Sequence, residues 1–203
     1  VAIFMIPSNA LSAGVAVINL NSALPSLTAS NTALDGRTQT QNIGNTNNVN
    51  LTSATSVGVD NVAIATIAAP EIALVGQTWM NGLDVRTDNT RVYDIGLRRF
   101  DTAIRFDQSS TGAVISGVAF GVNPVSGGDP SSGERSNQHI AVNAANVQFT
   151  LRNSLLGYTQ NLRGVVTGQN NAVTGLNILI EANQFVGTGQ SGGTDNGAIE
   201  FLR

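Results

Sequence analysis

One short phrase recurs four times between Thr87 and Phe185, and it constrains the fold of this chain more than any other feature. Each copy is a polar turn, a valine, and then alternating apolar residues that end in a bulky hydrophobe. The anchoring valines lie 22, 33 and 26 residues apart, at Val92, Val114, Val147 and Val173. Repeats of about 20 to 50 residues are typical of solenoids, in which stacked repeats bury one continuous core. The repeat therefore predicts a solenoid.

Short runs with period-two patterning lie beside the copies of the phrase and predict a second column of strands. Aligned on their first inward residue, these runs give the column Leu83, Ile104, Ile140, Val165 and Ile199. The corners between strands are too short for crossover helices, so parallel stacking at about 4.8 Å per turn is the economical arrangement. We therefore predict an all-β fold: a right-handed parallel β-helix of about seven coils, with protruding corner loops, formed by residues 1–203 as one domain.

Polar segments mark the predicted corners and loops. Residues 122–137 and 187–196 interrupt the period as loops, and residues 38–61 form a longer excursion from an early coil. Asparagine tolerates left-handed backbone angles, which explains its presence at four predicted corners: Asn89, Asn146, Asn170 and Asn171. Helical periodicity with proper caps is nearly absent, so no helix is predicted.

The charge and composition of the chain exclude several classes of function. Charged residues make up 11% of the chain, every basic residue is an arginine, and the net charge is −3. Nucleic-acid binding needs clustered basic residues, so this partner is not expected. The lack of cysteine excludes disulfides and thiolate metal sites. No apolar run reaches the roughly 18 residues of a membrane span.

Residues 4–39 carry a more specific signature. It consists of the phrases Phe4-Met5-Ile6-Pro7, Ile18-Asn19-Leu20, Ser22-Ala23-Leu24-Pro25-Ser26-Leu27-Thr28 and Leu34-Asp35-Gly36-Arg37-Thr38-Gln39. These phrases resemble the opening coils of bacterial secreted and cell-surface right-handed parallel β-helix proteins, although Arg37 stands where threonine is usual. That group shares its fold with pectate lyases, and many of its members have no assigned activity. The resemblance implies the fold and a secreted or cell-surface location, and it leaves the chemistry open.

One predicted outer row carries the candidate carbohydrate-binding residues. Outward positions beside the inward column are Asp84, Arg105, Ala141, Val166 and Glu200. Asp84, Arg105 and Glu200, together with Trp79, form a candidate carbohydrate face. Polysaccharide cleavage needs a second carboxylate about 5 to 10 Å from the first, which Asp101 or Asp107 could supply only from a neighbouring corner. The competing interpretation is an ion pair between strands, with Trp79 covering the edge of the core.

Few other residues suggest chemistry. His139 is the single histidine and follows the 122–137 loop, which predicts a solvent-exposed corner. No histidine-based metal cluster is possible, so no metal, cofactor or catalytic residue is assigned, and a non-enzymatic role is favoured. Asn50-Leu51-Thr52 fits an N-glycosylation acceptor, a pattern that is near chance in a chain rich in Asn and Thr.

The ends of the sequence provide the functional hypothesis. The chain begins and stops inside strand-like apolar runs, and it lacks an initiator methionine, which indicates an excerpt or a processed product of a longer chain. The alternative is that the ends pair with other copies, through the assembly candidates Val1, Ile3, Phe4, Ile199 and Phe201. A head-to-tail contact of this kind generates a filament. We therefore predict an extracellular structural subunit of a surface filament or a large adhesin, with a polysaccharide-binding or polysaccharide-cleaving protein as the alternative.

Overall fold

The structure is a computed structural model that describes residues 1–160, 163–168, 173–188 and 197–201. These residues are mostly β, with parallel sheets, one helix, α1 (Arg37–Ile43), and two 3-10 turns (Ser8–Ala10 and Ser132–Glu134). The strands are β1 (Ala2–Ile3), β2 (Ala16–Asn19), β3 (Ala33–Asp35), β4 (Thr55–Val57), β5 (Val62–Ile64), β6 (Ile72–Val75), β7 (Leu83–Val85), β8 (Arg91–Tyr93), β9 (Gly96–Arg98), β10 (Thr102–Phe106), β11 (Ser110–Ser116), β12 (Ala119–Phe120), β13 (Gln138–Val142), β14 (Val147–Arg152), β15 (Leu155–Leu156), β16 (Val165–Thr167), β17 (Asn177–Glu181), β18 (Gln184–Phe185) and β19 (Ile199–Phe201). Neither α1 nor the 3-10 turns in this part of the chain have the length and hydrophobicity that crossing a membrane requires.

Three parallel sheets contain all of these strands except β4 and β5. Sheet A has the order β2-β6-β9-β12-β15-β18, sheet B the order β7-β10-β13-β16-β19, and sheet C the order β1-β3-β8-β11-β14-β17. From β6 onward the chain visits A, B and C in turn, and each strand pairs with the strand one passage later in the same sheet. We call one such passage a cycle.

Within the described residues, sheets A, B and C have six, five and six strands. The chain leaves these sheets after β3 and rejoins them only at β6. Residues 37–71 therefore add no strand to sheets A, B or C.

The predicted column of inward residues is confirmed in sheet B. Ile104 pairs with Leu83 on one side and with Ile140 on the other, and the row continues through Val165 to Ile199. The three middle members are fully buried. The prediction rested on the alternating direction of successive side chains in a strand, although the outward positions Ala141 and Val166 are apolar.

The valines that anchor the repeated phrase do not occupy one row of paired residues. In sheet C the inward row is Leu34, Val92, Ile115, Leu151 and Ile180. Val114 pairs with Arg91 and Thr150 instead, and Val173 lies before β17 begins. In addition, the pairing of β11 with β14 shifts in register between Ser110 and Ala113.

The corners use left-handed residues, as predicted for Asn89 and Asn146, both of which have a φ of 56°. Asn170 and Asn171 lie outside the described residues. Glycine in the next cycle makes room for these corner side chains. A Cβ at Gly112 would lie 2.5 Å from Asn89 Oδ1, and a Cβ at Gly117 would lie 1.7 Å from Asp94 Oδ1.

Two of the predicted loops lie between strands of the stack. The first connects β12 to β13, and of the second only residues 187–188 are described. The predicted excursion is longer than 38–61, because it spans 37–71 and includes the antiparallel hairpin β4–β5 and the unpredicted helix α1. It packs on the outer side of sheet A through Ile67, which joins a small apolar cluster with Ala119, Val122 and Leu155.

Candidate functional site

The predicted outer row of sheet B exists, but its middle is not accessible. Asp84, Arg105, Ala141, Val166 and Glu200 pair in that order across the five strands. Ala141 and Val166 are fully buried, so the row does not form a continuous surface on which a polysaccharide could lie.

Arginine partners hold the charged groups of this row. Asp84 Oδ2 accepts hydrogen bonds from Ser26 Oγ and Arg86 Nε, each at 2.8 Å. Arg105 forms an ion pair with Asp107, and Arg163 forms one with Glu200. The charged groups of the row are thus held in ion pairs, but Asp84 and Arg105 are each paired with another residue, Arg86 and Asp107, rather than with each other.

Asp107 is kept ionised by its neighbours. Burial alone would raise its pKa, but hydrogen bonds from Arg105 and Asn143 outweigh burial and hold the pKa below its usual range. A carboxyl group that acts as a general acid near neutral pH needs the opposite shift. Asp107 is therefore suited to an ion pair and not to proton donation.

The spacing of the row also separates its two carboxylates. Four strand spacings lie between Asp84 and Glu200. At about 4.8 Å each, the separation is roughly 19 Å, well beyond the 5 to 10 Å of a glycosidase pair. Of the four candidate carbohydrate residues, Arg105 lies beside Asp84 on the neighbouring strand, Trp79 shares a cleft with Asp84, and Glu200 is remote from all three.

Trp79 and Asp84 line one cleft of about 320 Å³ beside the start of β7, which we call the Trp79 cleft. Its other lining residues are Ala23, Leu24, Ser26, Met80, Asn81 and Gly82. Trp79 is 72% exposed, so the interpretation that it covers the edge of the core was wrong. The adjacent Met80 takes the inward position, which leaves the indole ring in solvent.

Two buried acceptors in the Trp79 cleft are unsatisfied. Asn81 Oδ1 and Asp84 Oδ1 are shielded from water, and neither accepts a hydrogen bond from the described residues. A buried acceptor without a donor costs about 1 to 3 kcal/mol. An exposed aromatic face beside two such acceptors is suited to a ligand with an apolar face and hydroxyl donors.

His139 is fully buried, so the predicted solvent-exposed corner was wrong. Its Nε2 lies 3.0 Å from the carbonyl oxygen of Gly157 and donates to it, because a carbonyl can only accept. Its ring packs against Phe120 at a centroid distance of 5.4 Å. Burial lowers the pKa of His139 to about 4, which keeps the side chain neutral and structural at physiological pH.

The assembly candidates occupy three different environments. Val1 and Ile3 are exposed on β1 or just before it, whereas Phe4 is half-buried against the core. Phe4 N–H also donates to Thr38 Oγ1 at 2.9 Å. Ile199 and Phe201 are 37% and 62% exposed, although they continue inward rows of sheet B.

Asn50 is exposed in the excursion, where a glycan could be attached, and it forms an isolated bridge with Ala68. The hydroxyl of Thr52, the third residue of that triplet, accepts hydrogen bonds from Ile67 N–H at 2.9 Å and Gln184 Nε2 at 3.1 Å. Glycosylation of Asn50 stays a prediction.

Sequence reasoning missed the two acidic residues that lie together beside the excursion. Glu71 and Asp94 are 23 residues apart in the sequence. Ala73 and Gly96 are paired residues on neighbouring strands of sheet A, and Glu71 and Asp94 lie two residues before Ala73 and Gly96, respectively. The signal that could have found them is the cycle length itself, which places them on neighbouring strands. No group of three or more His, Cys, Asp or Glu side chains that could hold a metal occurs in the described ranges.

Comparison of the chain with protein-family models, with curated proteins and with solved structures gives no match. The geometry of the described residues is therefore the basis of the functional proposals.

Proposed function

We propose that sheets A, B and C form a right-handed parallel β-helix in which each cycle is one coil. The support is the repeated A, B, C order from β6 to β19 and the parallel register within each sheet. Parallel strands in one sheet joined by a crossover are right-handed in about 98% of cases, which supports the handedness. Polar corners and stacked inward rows fit the same arrangement.

We further propose that this β-helix is a structural subunit that stacks head-to-tail, with residues near β19 as one contact surface. A single observation carries this proposal. Phe201 extends an inward row whose other members, Val85, Phe106, Val142 and Thr167, are all buried, yet Phe201 itself is 62% exposed. A further coil placed over β19 would bury it as the preceding members are buried.

The opposite end of the stack offers a complementary surface. A cavity of about 240 Å³ opens there, and most of its lining is apolar, including Leu24, Leu27, Leu34 and Leu83. Leu27 forms an isolated parallel bridge with Val85. Val85 is the first member of the row that ends at Phe201, so Leu27 extends this row by one position at the opposite end. Stacking one copy on the next would bring Phe201 against Leu27 in the same row. Burying a phenylalanine side chain contributes about 1.5 to 3 kcal/mol.

The contact is heterologous, because the two surfaces differ, and it does not close. Repeated contacts of this type build a filament. Strands β17, β18 and β19 also form the last strand of their sheets in the described residues, so main-chain pairing can add to the apolar contact. The same surfaces would join coils of a longer chain in a large adhesin.

A secreted or cell-surface location completes this proposal. The low share of charged residues and the abundance of asparagine favour a surface wetted by neutral polar side chains. The resemblance of residues 4–39 to secreted β-helix proteins favours the same location.

Sedimentation velocity at several concentrations, with electron microscopy of the same samples, tests the stacking. We expect the native chain to form species that grow with concentration and elongated particles. Phe201→Asp should abolish them, because a charge placed in an apolar contact is strongly disfavoured. Val59→Asp is the matched control, since Val59 is an apolar residue that is 96% exposed in the turn of the β4–β5 hairpin, outside sheets A, B and C. A concentration-independent monomer, or equal assembly of both variants, would contradict the proposal.

Polysaccharide binding is the second candidate function, and the Trp79 cleft favours it. The exposed indole ring can stack on a sugar ring, while Asn81 Oδ1 and Asp84 Oδ1 can accept hydrogen bonds from sugar hydroxyls. A single carboxylate in the cleft suits binding better than cleavage.

Isothermal titration calorimetry with soluble neutral and acidic polysaccharides tests this candidate. We expect Trp79→Ala to weaken binding at least tenfold, and Asp84→Asn to weaken it less. Met5→Ala is the control, because Met5 is a similarly exposed apolar residue outside the cleft. Binding that is unchanged by Trp79→Ala, or no binding to any polysaccharide, would reject a role for this cleft.

A further inference from the structure

A small pocket lies where the excursion leaves and rejoins the stack. Its volume is about 150 Å³, and it is lined by Thr40, Asn45, Ala68, Ala69, Pro70, Glu71 and Asp94. Thr40 and Asn45 belong to the start of the excursion, residues 68–71 to its end, and Asp94 to the next cycle. The pocket therefore joins three parts of the chain that are far apart in sequence.

Glu71 presents an unpartnered oxygen at this pocket. The residue is only 4% exposed, and its Oε1 accepts a hydrogen bond from Thr46 N–H at 2.8 Å. Its Oε2 is shielded from water and has no hydrogen-bond partner within the described part of the chain. An unpaired carboxylate oxygen in such a place is strongly disfavoured unless a cation or a donor meets it.

Asp94 supplies a second carboxylate beside Glu71. Burial raises the pKa of Asp94 to about 6, and the nearby Arg37 opposes this shift only in part. Arg37 is already held by Asp35, to which it donates from Nε at 2.7 Å and from Nη2 at 2.6 Å. The lining of the pocket therefore contains two carboxylates, Glu71 and Asp94, and no cationic side chain.

The neutral groups around the pocket have the same preference for a cation. Thr40 and Asn45 carry side-chain oxygens, and α1 ends between them, so the negative end of its dipole lies at the pocket. Carboxylate, amide and hydroxyl oxygens are the ligands of hard cations, which fill their remaining positions with water. Softer metals prefer imidazole or thiolate ligands, and neither lines this pocket.

We propose that this pocket binds a divalent cation of the calcium type through the carboxylates of Glu71 and Asp94, assisted by oxygens of Thr40 and Asn45. The bound cation ties both ends of the excursion to the stack, so it acts as a structural staple. This site is independent of the proposed head-to-tail contact, because it lies on sheet A and not at either end. The proposal also departs from the expectation, stated in the sequence analysis, that no metal is bound.

The first test measures calcium binding to the native chain after treatment with a chelator. Calorimetric titration with calcium chloride should reveal one saturable site, with a dissociation constant of about 10⁻⁴ to 10⁻³ M, the range of extracellular calcium modules. Calcium should also raise the melting temperature, because a ligand that binds only the folded state stabilises it. Absence of saturable binding up to about 10 mM calcium would overturn the proposal.

Two substitutions locate the site. Glu71→Gln and Asp94→Asn each remove a charge at nearly constant shape, and asparagine also tolerates the left-handed backbone of Asp94. Each should weaken calcium binding at least tenfold, whereas Asp60→Asn, in the exposed turn of the hairpin, should not change it. If Glu71→Gln does not fold, as judged by circular dichroism, Asp94→Asn decides alone. Native affinity in Asp94→Asn would overturn the assignment.

Discussion

The two ends of sheets A, B and C, formed by their first and last strands, differ in how their backbone and side chains are covered. Near the N-terminal end, the fully buried Gln39 substitutes for a strand partner: Ile6 N–H donates to its Oε1 at 2.8 Å, and its Nε2 donates to the Ile6 carbonyl oxygen at 2.7 Å. At the other end, Ile199 and Phe201 remain partly or largely exposed. At the N-terminal end, a side chain thus supplies the hydrogen bonds that the backbone of Ile6 needs. At the other end, no described residue packs over the apolar side chains of Ile199 and Phe201.

The middle cycles are the reference for both ends. In the middle strands of sheet B, Ile104, Ile140, Phe106 and Val142 are fully buried, and each is paired with a residue of its row on both sides. The stability of stacked repeats is close to a sum of such neighbour contacts. Position in a row therefore does not by itself decide burial: Leu83 in the first strand of sheet B is buried, whereas Ile199 and Phe201 in the last strand are not.

Truncation of one phenylalanine in each region gives the largest expected effect. Phe106→Ala removes a ring that stacks on Phe149 at a centroid distance of 5.2 Å, and should lower the free energy of unfolding by about 3 to 5 kcal/mol. Phe201→Ala changes the same row at its exposed end and should cost less than about 1 kcal/mol in the monomer. Urea unfolding at a concentration that prevents assembly measures both values. Equal losses would remove the distinction between the middle and the end.

Lowering the pH should decrease the free energy of unfolding through His139, which lies in the middle cycles and not at the exposed end. The pKa of buried His139 is lowered to about 4, against about 6.5 in the unfolded chain, so the unfolded state binds more protons between these values. The contribution of His139 is therefore present above pH 6.5 and is lost as the pH falls towards 4, by an amount on the order of 3 kcal/mol. Unfolding curves from pH 7 to pH 4 measure this loss.

Asp94 acts in the opposite direction, and a variant separates the two groups. Because its pKa is raised to about 6, folding gains stability from Asp94 as the pH falls from 6 towards 3.8. His139→Gln keeps a donor for Gly157 and leaves Asp94 unchanged, so the difference between variant and native chain reports His139. Identical pH dependence in the two chains would show that His139 is not the responsible group.

The sequence was sufficient for those parts of the fold that depend on local alternation. The inward column of sheet B and its outer row follow from the alternating side-chain directions of strands of three to five residues. The rows that the repeated valines occupy could not be predicted, because a register shift such as that of β11 against β14 is a consequence of packing between cycles. The helix α1 escaped prediction because it is short and polar, with an apolar side chain only at Ile43.

The candidate sites were harder to predict because each depends on segments from different cycles. His139 is buried by its contacts with Phe120 and Gly157, which come from sheet A and the corner after it. Glu71 Oε2 and Asn81 Oδ1 lack hydrogen-bond donors because no neighbouring donor lies within reach in the folded chain. Composition and spacing do not show which acceptors will lack a donor.

A test of the N-terminal end uses Gln39. Gln39→Ala removes both hydrogen bonds to Ile6 and leaves its backbone groups without these partners, so the free energy of unfolding should fall by about 1 to 3 kcal/mol. Gln41→Ala is the control, because Gln41 is exposed on the same helix. Hydrogen exchange of the Ile6 amide should accelerate only in Gln39→Ala. Equal behaviour of the two variants would mean that Gln39 does not hold this end.

The smallest effect concerns a corner of the last cycles. The turn between sheets C and A uses left-handed residues at Asp94, Gly117, Asn153 and Ala182, with φ of 47°, 69°, 49° and 52°. Alanine is the least suited of these, because its Cβ approaches the following carbonyl oxygen in this conformation. Ala182→Gly should therefore stabilise the chain by roughly 0.5 to 1 kcal/mol in thermal unfolding. Ala63→Gly in strand β5 should instead destabilise by a similar amount, because glycine loses more freedom in a strand. If Ala182→Gly also destabilises, then the end of the stack does not carry this strain, and its exposed rows alone distinguish it from the middle cycles.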